Sequence, residues 1–432
     1  MTTRRSQSLA VNARASLGTV LNYSKNWLPP AAVTTNVLEF NQAGNCIDWG
    51  ANQNAAQDWD LSFRFDMGNL PTHWMPFCNA TATHYLLFED DTRIYMKIAG
   101  TSYDLTGLAV EKRWSHFKNG MIEWQFKKVG TTLSIYVNRQ LYFTATIPDT
   151  AFQWRYFGKW SGGTAYDGKG WLEWVKIDGV TYNAANTWNG KTLTNLSAAT
   201  RSYGEEFQSF MVTGQSNAVS RNNEAANAFT GITFPIALSK YWNNAVGHLA
   251  YEDTIFGINQ QTDVTGNWGV EYRLANNLSL ASIDHRILKY AVGSTSMSVW
   301  STYVGYMALA CQMAAKSGIE YKTVIFIQGE TDATNEALSL AYEANLRLTI
   351  KIMRMMLTNG FNTKFIYLKL VNFSDTSQIY RANVQAAQEA VKNDVNVKMI
   401  VAPANWSAVD DTHFDAVTID NISTEIWKNG RV

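Results

Sequence analysis

The stretch Phe210-Met-Val-Thr-Gly214-Gln-Ser216-Asn-Ala218 decides the fold of the second half of the chain. An apolar run leads directly into Gly-Gln-Ser-Asn, which predicts a buried strand followed by a sharp turn. Glycine lets the chain turn there, and Ser216 is then presented at the end of the strand. A serine hydroxyl becomes a good nucleophile only when a base lies within hydrogen-bond reach. The stretch therefore makes Ser216 a candidate nucleophile, although a serine in an ordinary loop would look the same when considered alone.

The residues after this stretch alternate between apolar strands and helical patterns. Strands are predicted at 207–212, 287–292, 324–327, 365–371 and 397–401, and helices at 269–280, 302–317, 335–358 and 377–392. Such alternation is typical of a parallel sheet with helices on both faces, which is a three-layer α/β/α domain. In these sheets the active site lies beyond the carboxyl ends of the strands. We therefore expect residues 207–432 to form an α/β domain with its site at that edge.

Three further polar clusters occur in this half of the chain. Gly293-Ser-Thr-Ser296 follows a predicted strand, and backbone N–H groups in such a turn can stabilise an oxyanion. Gln328-Gly-Glu330-Thr-Asp332 follows another strand, where either acid could instead cap the next helix. The third cluster is Asp410-Asp411-Thr-His413, in which a nearby carboxylate could hold the imidazole in the right tautomer. Adjacent acids cannot be separated by sequence alone, so Asp410 and Asp411 both remain open as that carboxylate.

The residues from 36 to 182 follow a different pattern. Short segments alternate with period two, are rich in β-branched and aromatic residues, and are bounded by Gly, Asn or Asp; they are Leu61–Phe65, Ile94–Ile98, Ile122–Phe126, Leu133–Val137 and Leu172–Ile177. Many short strands without helices predict an antiparallel sandwich or barrel. Exposed tryptophans could stack on sugar rings there. Most of them are nevertheless expected in the core, including Trp124 and Trp174.

The two remaining segments are polar. Residues 1–35, which contain the break Pro29-Pro30, are predicted to be an assembly or attachment segment, or simply a mobile end. Residues 183–206 are rich in Asn, Thr, Ser and Ala and are predicted to be a linker or an arm that wraps around a domain. Asn12, Arg14 and Asn22 interrupt any apolar core near the N-terminus, so no signal peptide is predicted and the chain is expected to fold in a cytosol.

Composition argues against several classes of protein. Lys and Arg together number 36, as do Asp and Glu, so no charge surplus points to nucleic acid or to an anionic membrane as partner. No apolar run approaches the roughly 20 residues of a membrane helix. The three cysteines are too few for a disulfide framework or a cysteine-based zinc site. The six histidines lack the paired spacing of zinc ligands, so neither a metal nor another cofactor is predicted.

In order and spacing, the four polar clusters resemble the SGNH (GDSL-type) hydrolase superfamily, in its sialate O-acetylesterase-like branch of carbohydrate esterases. The matching motifs are Gly214–Asn217, Gly293–Ser296, Gln328–Asp332 and Asp410–His413. The resemblance covers about 225 residues. It implies a serine hydrolase that acts on carboxylic esters.

The resemblance also implies a role for each residue. Ser216 is the nucleophile, His413 is the general base and then the general acid, and Asp410 orients His413. The oxyanion hole is formed by the N–H groups of Ser216 and Gly293 and by the side chain of Gln328, which stands where the wider superfamily has an asparagine. Three residues are candidates for a supporting role. Glu330 belongs to the pattern of the branch and could brace either the serine loop or the histidine, Asn217 follows the nucleophile, and Asp411 is the alternative to Asp410.

The rhythm of strands over residues 36–182 resembles a laminin-G/concanavalin-like lectin sandwich, which is a jelly roll. A lectin-like sandwich joined to a sugar esterase without a signal peptide resembles bacteriophage tail-fibre or tailspike deacetylases. That likeness implies an enzyme that removes O-acetyl groups from a surface polysaccharide. It also implies a homo-oligomer, commonly a trimer, that attaches to a virion through its N-terminus and is released by lysis. Two other functions stay open: a non-catalytic glycan receptor-binding protein, and a general short-chain or lipase-like esterase.

Overall fold

The structure is a computed structural model of the 432-residue chain. It describes residues 33–40, 46–66, 73–89, 93–106, 117, 121–158, 170–183, 191–194, 196–203, 208–219, 232, 235–243, 250–253 and 269–429. The chain divides into two compact units. We call them the β unit, Val33–Tyr203 with Lys351–Phe361, and the α/β unit, Gly204–Ile350 with Asn362–Val432. Most of the predicted attachment segment, residues 1–32, lies outside the described residues.

The described strands of the β unit form two antiparallel sheets. Their bounds are β1 Val33–Phe40, β2 Cys46–Asn54, β3 Trp59–Asp66, β4 His73–Cys78, β5 Tyr85–Glu89, β6 Arg93–Ile98, β7 Thr101–Asp104, β8 Met121–Val129, β9 Thr132–Val137, β10 Gln140–Thr146, β11 Gln153–Phe157, β12 Gly170–Ile177, β13 Val180–Asn183, β14 Thr192–Thr194 and β15 Leu196–Tyr203. One sheet has the order β10-β9-β8-β3-β12-β1-β15, with β13 paired to β12, and the other has the order β14-β2-β11-β4-β5-β6-β7. The five alternating segments of the sequence lie within β3, β6, β8, β9 and β12, which confirms the antiparallel β prediction for this half.

Aromatic side chains fill the core of the β unit because alternate residues of each strand point inward. Phe63, Phe65, Trp74 and Trp124 are all fully buried. Trp74 stacks on Phe65 with ring centroids 4.6 Å apart and meets Phe63 edge to face at 5.5 Å. The core position expected for Trp124 is confirmed, and buried indoles such as these are not available to stack on a sugar.

Trp174 differs from the prediction that it lies in the core. The register between β12 and β3 shifts between Leu172 and Trp174, and beyond this bulge Trp174 pairs with Arg64. Directly opposed residues share a face of the sheet. Phe63 and Phe65, on either side of Arg64, fill the core, so Trp174 lies on the opposite face and is partly exposed. A bulge changes which face a residue occupies and leaves no mark in an alternating pattern.

The prediction that residues 183–206 form a linker is wrong over β14 and β15. β15 pairs with β1 in antiparallel register over eight residues, from Phe40 opposite Leu196 to Val33 opposite Tyr203. The segment has few apolar side chains, but the ladder uses backbone groups that every residue except proline can supply. Pairing with β1 therefore makes a strand of a sequence whose composition is typical of a loop.

The α/β unit contains a mostly parallel sheet with intervening helices, as the sequence predicts. Its strands are β16 Gln208–Gly214, β17 Ser239–Asn243, β18 Ala250–Asp253, β19 His285–Ala291, β20 Thr323–Ile327, β21 Lys364–Leu368 and β22 Val397–Ile400. Its helices are α1 Ser216–Val219, α2 Val270–Leu280, α3 Met297–Trp300, α4 Tyr306–Lys316, α5 Glu336–Met356, whose last turn belongs to the β unit, α6 Arg381–Val391 and α7 Ala416–Asn429. The strand order is β18-β17-β19-β16-β20-β21-β22, and β18 alone among these strands runs antiparallel to its neighbour. Within the described residues, no helix combines the length and the apolar character needed to cross a membrane.

The central position of β16 determines where the polar clusters meet. All seven residues of β16 are buried between β19 and β20. Both neighbours are parallel to it, with Gly214 opposite Ala291 on one side and Ile327 on the other. The loops that follow these three strands therefore leave the sheet at the same edge, and they carry Ser216, Gly293 and Gln328.

Candidate active site

The turn that presents Ser216 depends on a close approach between two strands. Gly214 ends β16 with a φ of +132°, a conformation that residues with side chains rarely adopt. A Cβ atom at this position would lie 2.0 Å from the carbonyl oxygen of Ile327. The next N–H, that of Gln215, donates to the same oxygen at 2.9 Å. Ser216 then begins the short helix α1 with its side chain buried.

We expect Gly214→Ala to lower the free energy of unfolding by about 3 kcal/mol or more, because the new methyl group would collide with the backbone of β20. Gly318→Ala is the matched control. Gly318 also has a positive φ, +76°, but a Cβ there would meet nothing within 4 Å. The control should therefore lose only about 1 kcal/mol. Urea unfolding measures both values, and equal losses would contradict the importance of the Gly214 contact.

The turn after β19 supplies a second backbone donor beside the serine. The Val292 N–H donates to the carbonyl oxygen of Gly214 at 2.9 Å, which holds this turn against the end of the serine strand. Among the described residues, the N–H groups of Ser216 and Gly293 have no protein acceptor. Ser294 has a φ of 56°, a value that a residue with a side chain keeps only when its surroundings enforce it. The arrangement leaves two N–H groups free at the edge where Ser216 lies.

His413 lies in a short loop that is closed by its own backbone. The Val409 N–H donates to the carbonyl oxygen of His413 at 2.9 Å. Asp410 lies inside this loop and accepts hydrogen bonds from the His413 N–H at 2.6 Å and the Thr412 N–H at 2.8 Å. Its second oxygen lies 2.7 Å from His413 Nδ1. Asp411 makes no contact with the ring in the described structure; its carboxylate accepts only a 3.4 Å bond from the Thr412 hydroxyl.

The pKa of the Asp410 carboxyl lies below its ordinary value. Partial burial raises this pKa, but the hydrogen bonds from the His413 ring and from two backbone N–H groups together lower it by a larger amount. Asp410 therefore stays ionised in neutral solution. An ionised carboxylate on Nδ1 favours the tautomer that carries its proton there, which leaves Nε2 free to accept a proton.

Asn217 joins the serine helix to the histidine loop. Its Nδ2 donates to the carbonyl oxygen of Thr412 at 3.1 Å, and its Oδ1 accepts from the Phe414 N–H at 3.0 Å. These bonds grip the backbone on both sides of His413. No hydrogen bond joins the Ser216 hydroxyl to the His413 ring within the described structure. Catalytic hydrogen bonds are often long before substrate binds, so the clamp by Asn217 is the stronger indication that the two groups work together.

Glu330 lies beneath the serine turn and is 4% exposed. One carboxylate oxygen accepts from Gln215 Nε2, and the other accepts from Asn217 Nδ2. Burial raises the pKa of Glu330, whereas the bond from Asn217, a backbone N–H and the charge of His413 lower it in part. The carboxylate thus fixes the side chains on both sides of Ser216.

The predicted role of Gln328 as a third oxyanion donor is not supported by its surroundings. Its Nε2 lies within hydrogen-bond distance of Asp332 Oδ2 at 2.5 Å, Thr295 O at 3.0 Å and Gln215 Oε1 at 3.4 Å. An amide group has two N–H donors, and both are already committed. A carboxylate is a stronger acceptor than an ester carbonyl, so Asp332 retains this amide. Gln328 instead braces the turn that contains Thr295.

Asp332 anchors the start of α3 from below. Its two oxygens accept from the Met297 N–H at 3.0 and 2.9 Å, and a carboxylate at a helix N-terminus is favourable. Burial raises the pKa of Asp332 to about 6, and the nearby charge of Glu330 adds to this shift, while hydrogen bonds from Gln328 and Met297 oppose it. The sequence allowed Asp332 to cap the helix that follows it. Asp332 does cap a helix, but that helix is α3, which precedes it in the chain.

We expect the contribution of Asp332 to stability to fall as the pH rises from 3.8 to about 6, because the folded chain holds the Asp332 proton more tightly than the unfolded chain does. His285, whose pKa burial lowers to about 4, contributes in the opposite direction, so the Asp332 contribution is obtained as a difference from a variant. Asp332→Asn should remove this contribution, so that its free energy of unfolding relative to that of wild type should rise by on the order of 2 kcal/mol across this window. Glu343→Gln, at an exposed ion pair with Arg347, is the control and should keep the wild-type slope. Urea titrations at pH values across the window give the comparison, and parallel curves for Asp332→Asn and wild type would refute it.

Two contributors to the site lie within the predicted motifs but have no predicted role in the catalytic machinery. Gln215 and Asp332 hold neighbouring side chains and backbone rather than facing the site. Each is a polar residue that follows a fully buried strand, and such a residue needs hydrogen-bond partners nearby. The need of these two residues for hydrogen-bond partners was the signal in the sequence that could have revealed their role. Within the described residues, no three His, Cys, Asp or Glu residues are grouped so as to hold a metal ion.

Comparison with known proteins identifies the family to which the chain belongs. A family model described as "Carbohydrate esterase, sialic acid-specific acetylesterase" matches residues 206–426, a little more than half of the chain. The protein is therefore a carbohydrate esterase by class. It belongs to the sialic acid-specific acetylesterase family of that class.

Several solved structures are similar to part of the chain. A protein of Arabidopsis thaliana is 18% identical with a TM-score of 0.44, and the match covers 51% of this chain and 96% of that one. A carbohydrate acetylesterase from Xanthomonas citri is 15% identical with a TM-score of 0.38, over 70% of this chain and 69% of that one. Domains LG4-5 of the mouse laminin α1 chain are 9% identical with a TM-score of 0.27, over 39% of this chain and 48% of the other. No curated protein sequence matches the chain.

Proposed function

We propose that the protein removes O-acetyl groups from a polysaccharide by acyl transfer through Ser216, His413 and Asp410. The observation that carries this proposal is the grip of Asn217, the residue after Ser216, on the backbone on both sides of His413. It ties the candidate nucleophile to an imidazole whose Nδ1 is held by an ionised carboxylate. Nε2 is then the basic nitrogen.

The reaction proceeds in two steps. His413 takes the proton of the Ser216 hydroxyl while the serine oxygen forms a bond to the acetyl carbon. The oxyanion that develops accepts hydrogen bonds from the free N–H groups of Ser216 and Gly293. The carbon–oxygen bond to the sugar then breaks, and the sugar oxygen takes the proton from His413. Water, deprotonated in turn by His413, releases acetate and restores the serine.

A polar groove beside the histidine loop supports a sugar as the leaving group. The groove has a volume of about 640 Å³, and Asn372, Asp375 and Gln385 are among the residues that line it. Its wall is joined to the histidine loop, because the Asp375 N–H donates to the carbonyl oxygen of Asp411 at 3.0 Å. Amide and carboxylate side chains can pair with sugar hydroxyls, which an apolar acyl chain cannot use.

The decisive experiment is to incubate the protein with O-acetylated bacterial polysaccharides and follow free acetate by NMR. Release of acetate from at least one polymer supports the proposal. A clear preference for long-chain over acetyl p-nitrophenyl esters would favour a general or lipase-like esterase instead. Binding to acetylated glycans without any acetate release would favour a glycan-binding protein that uses the fold as a scaffold.

The further expectation of a bacteriophage tail-fibre or tailspike enzyme is part of the same proposal. It rests on the combination of a β-sandwich with a carbohydrate esterase unit. The segment that would attach to a virion, residues 1–35, falls almost entirely outside the described residues. Virion attachment and a trimeric assembly therefore stay predictions, which fractionation of lysates and measurement of the mass in solution would test.

A further inference from the structure

We propose that the buried carboxylate of Glu330, held in place through Asn217, is the counter-charge that stabilises the His413 imidazolium during acyl transfer. The inference rests on the proposed function, because an imidazolium forms only when His413 takes the proton from Ser216. It gives Glu330 an electrostatic role in addition to that of a brace for the serine turn.

The hydrogen bonds of Glu330 favour its ionised form. Both carboxylate oxygens face amide N–H donors, those of Gln215 Nε2 and Asn217 Nδ2. An ionised carboxylate can accept from both donors at once without turning a proton toward either of them. Burial opposes ionisation, but amide donors on both oxygens stabilise the charge.

Glu330 has no permanent cation beside it. It forms no ion pair with a lysine or arginine in the described part of the chain, and His413 is the positive group whose charge acts on it. A buried carboxylate without a partner is costly to keep. This energetic cost decreases when His413 becomes positively charged, which happens in the same step in which the oxyanion forms.

Asn217 fixes the distance between the two groups. Its two N–H donors go to Glu330 Oε1 and to the carbonyl oxygen of Thr412, and its own oxygen accepts from the Phe414 N–H. These bonds use both donors of the amide and its oxygen. The histidine loop therefore cannot move away from Glu330 unless a buried hydrogen bond breaks.

Asp410 and Glu330 then divide the work of a catalytic carboxylate. Asp410 contacts the ring directly, but its side chain is 47% exposed, so water and salt weaken its charge. Glu330 acts from a greater distance, but it is only 4% exposed. A charge in a buried setting is screened much less. Asp410 thus sets the tautomer, and Glu330 supplies an electrostatic field that solvent does not screen.

The test compares the pH dependence of kcat/KM for an acetyl ester in wild type, Glu330→Gln and the surface control Glu343→Gln. An opposite charge raises the pKa of a histidine, so its removal should lower that pKa. The acid limb of the profile requires neutral His413 and should move to lower pH in Glu330→Gln. The plateau at higher pH should fall by about tenfold or more, because the imidazolium is less stable. The control should match wild type in both respects.

The double variant Q215E/E330Q guards against a simple loss of structure. The two side chains exchange roles in it, so that the hydrogen bonds to each other and to Asn217 can all be kept while the charge moves away from Asn217. Its acid limb should also lie below that of wild type. If activity is too low to follow, NMR titration of the His413 ring in a Ser216→Ala background measures the same pKa directly.

The two proposals fail in different ways. Wild type that releases no acetate from any substrate would remove the proposed function and this inference with it. Active wild type, together with folded Glu330 variants in which the pKa of His413 is unchanged, would overturn the counter-charge role alone. If Glu330 has only a structural role, the second result is expected, because loss of a brace lowers the plateau of kcat/KM without moving the acid limb of the pH profile.

Discussion

Ser216→Ala should reduce acetate release by a factor of about 10⁴ or more, because it removes the atom that forms the acyl-enzyme. The fold should be unaffected. The Ser216 hydroxyl has no hydrogen-bond partner among the described residues, so its loss leaves no buried group unsatisfied. Acetate release from an acetylated polysaccharide or from p-nitrophenyl acetate measures the rate, and circular dichroism with urea unfolding checks the fold.

Ser298→Ala is the matched control for this substitution. Ser298 lies in α3, and its hydroxyl contacts that of Ser296 at 2.7 Å, near but outside the proposed machinery. The control should retain a rate close to that of wild type. If Ser216→Ala kept the wild-type rate in the same assay, a nucleophilic serine at this position would have to be abandoned.

Asp410→Asn should lower kcat by about 10² to 10⁴, because an amide no longer holds the His413 ring in the tautomer with its proton on Nδ1. Asp411→Asn should leave kcat within about twofold of wild type. The two residues are adjacent and both are acids, but only Asp410 has an oxygen 2.7 Å from Nδ1. Steady-state kinetics on p-nitrophenyl acetate distinguishes them, and the reverse order of effects would assign the orienting carboxylate to Asp411.

Features that repeat locally could be predicted from the sequence. The period-two segments of β3, β6, β8, β9 and β12 place one face of each strand in a core, so their type follows from side chains a few residues apart. The parallel strands β16, β19, β20 and β21 are short apolar runs, and each is followed by glycine or by polar residues. A parallel sheet brings such strand ends to one edge, which is why a site composed of separate motifs could be expected there.

Features set by distant partners could not be predicted in this way. The β12 bulge moves Trp174 to the outer face through a change in register with β3. Pairing with β1 turns the loop-like composition of β15 into a strand. Gln328 carries a suitable donor, but Asp332 and the Thr295 carbonyl occupy it, and neither contact is visible in the motif itself. The choice between Asp410 and Asp411 likewise depends on the conformation of one closed loop.

The pairing of β1 with β15 makes most of the β unit a transferable module. Val33 and Tyr203 lie opposite each other in the register, so the chain enters and leaves residues 33–203 at neighbouring points. Segments with adjacent ends tolerate insertion and exchange well. A different module could therefore replace this one by recombination near residues 32 and 204, and the motifs from Gly214 to His413, which all come later in the sequence, would be inherited intact.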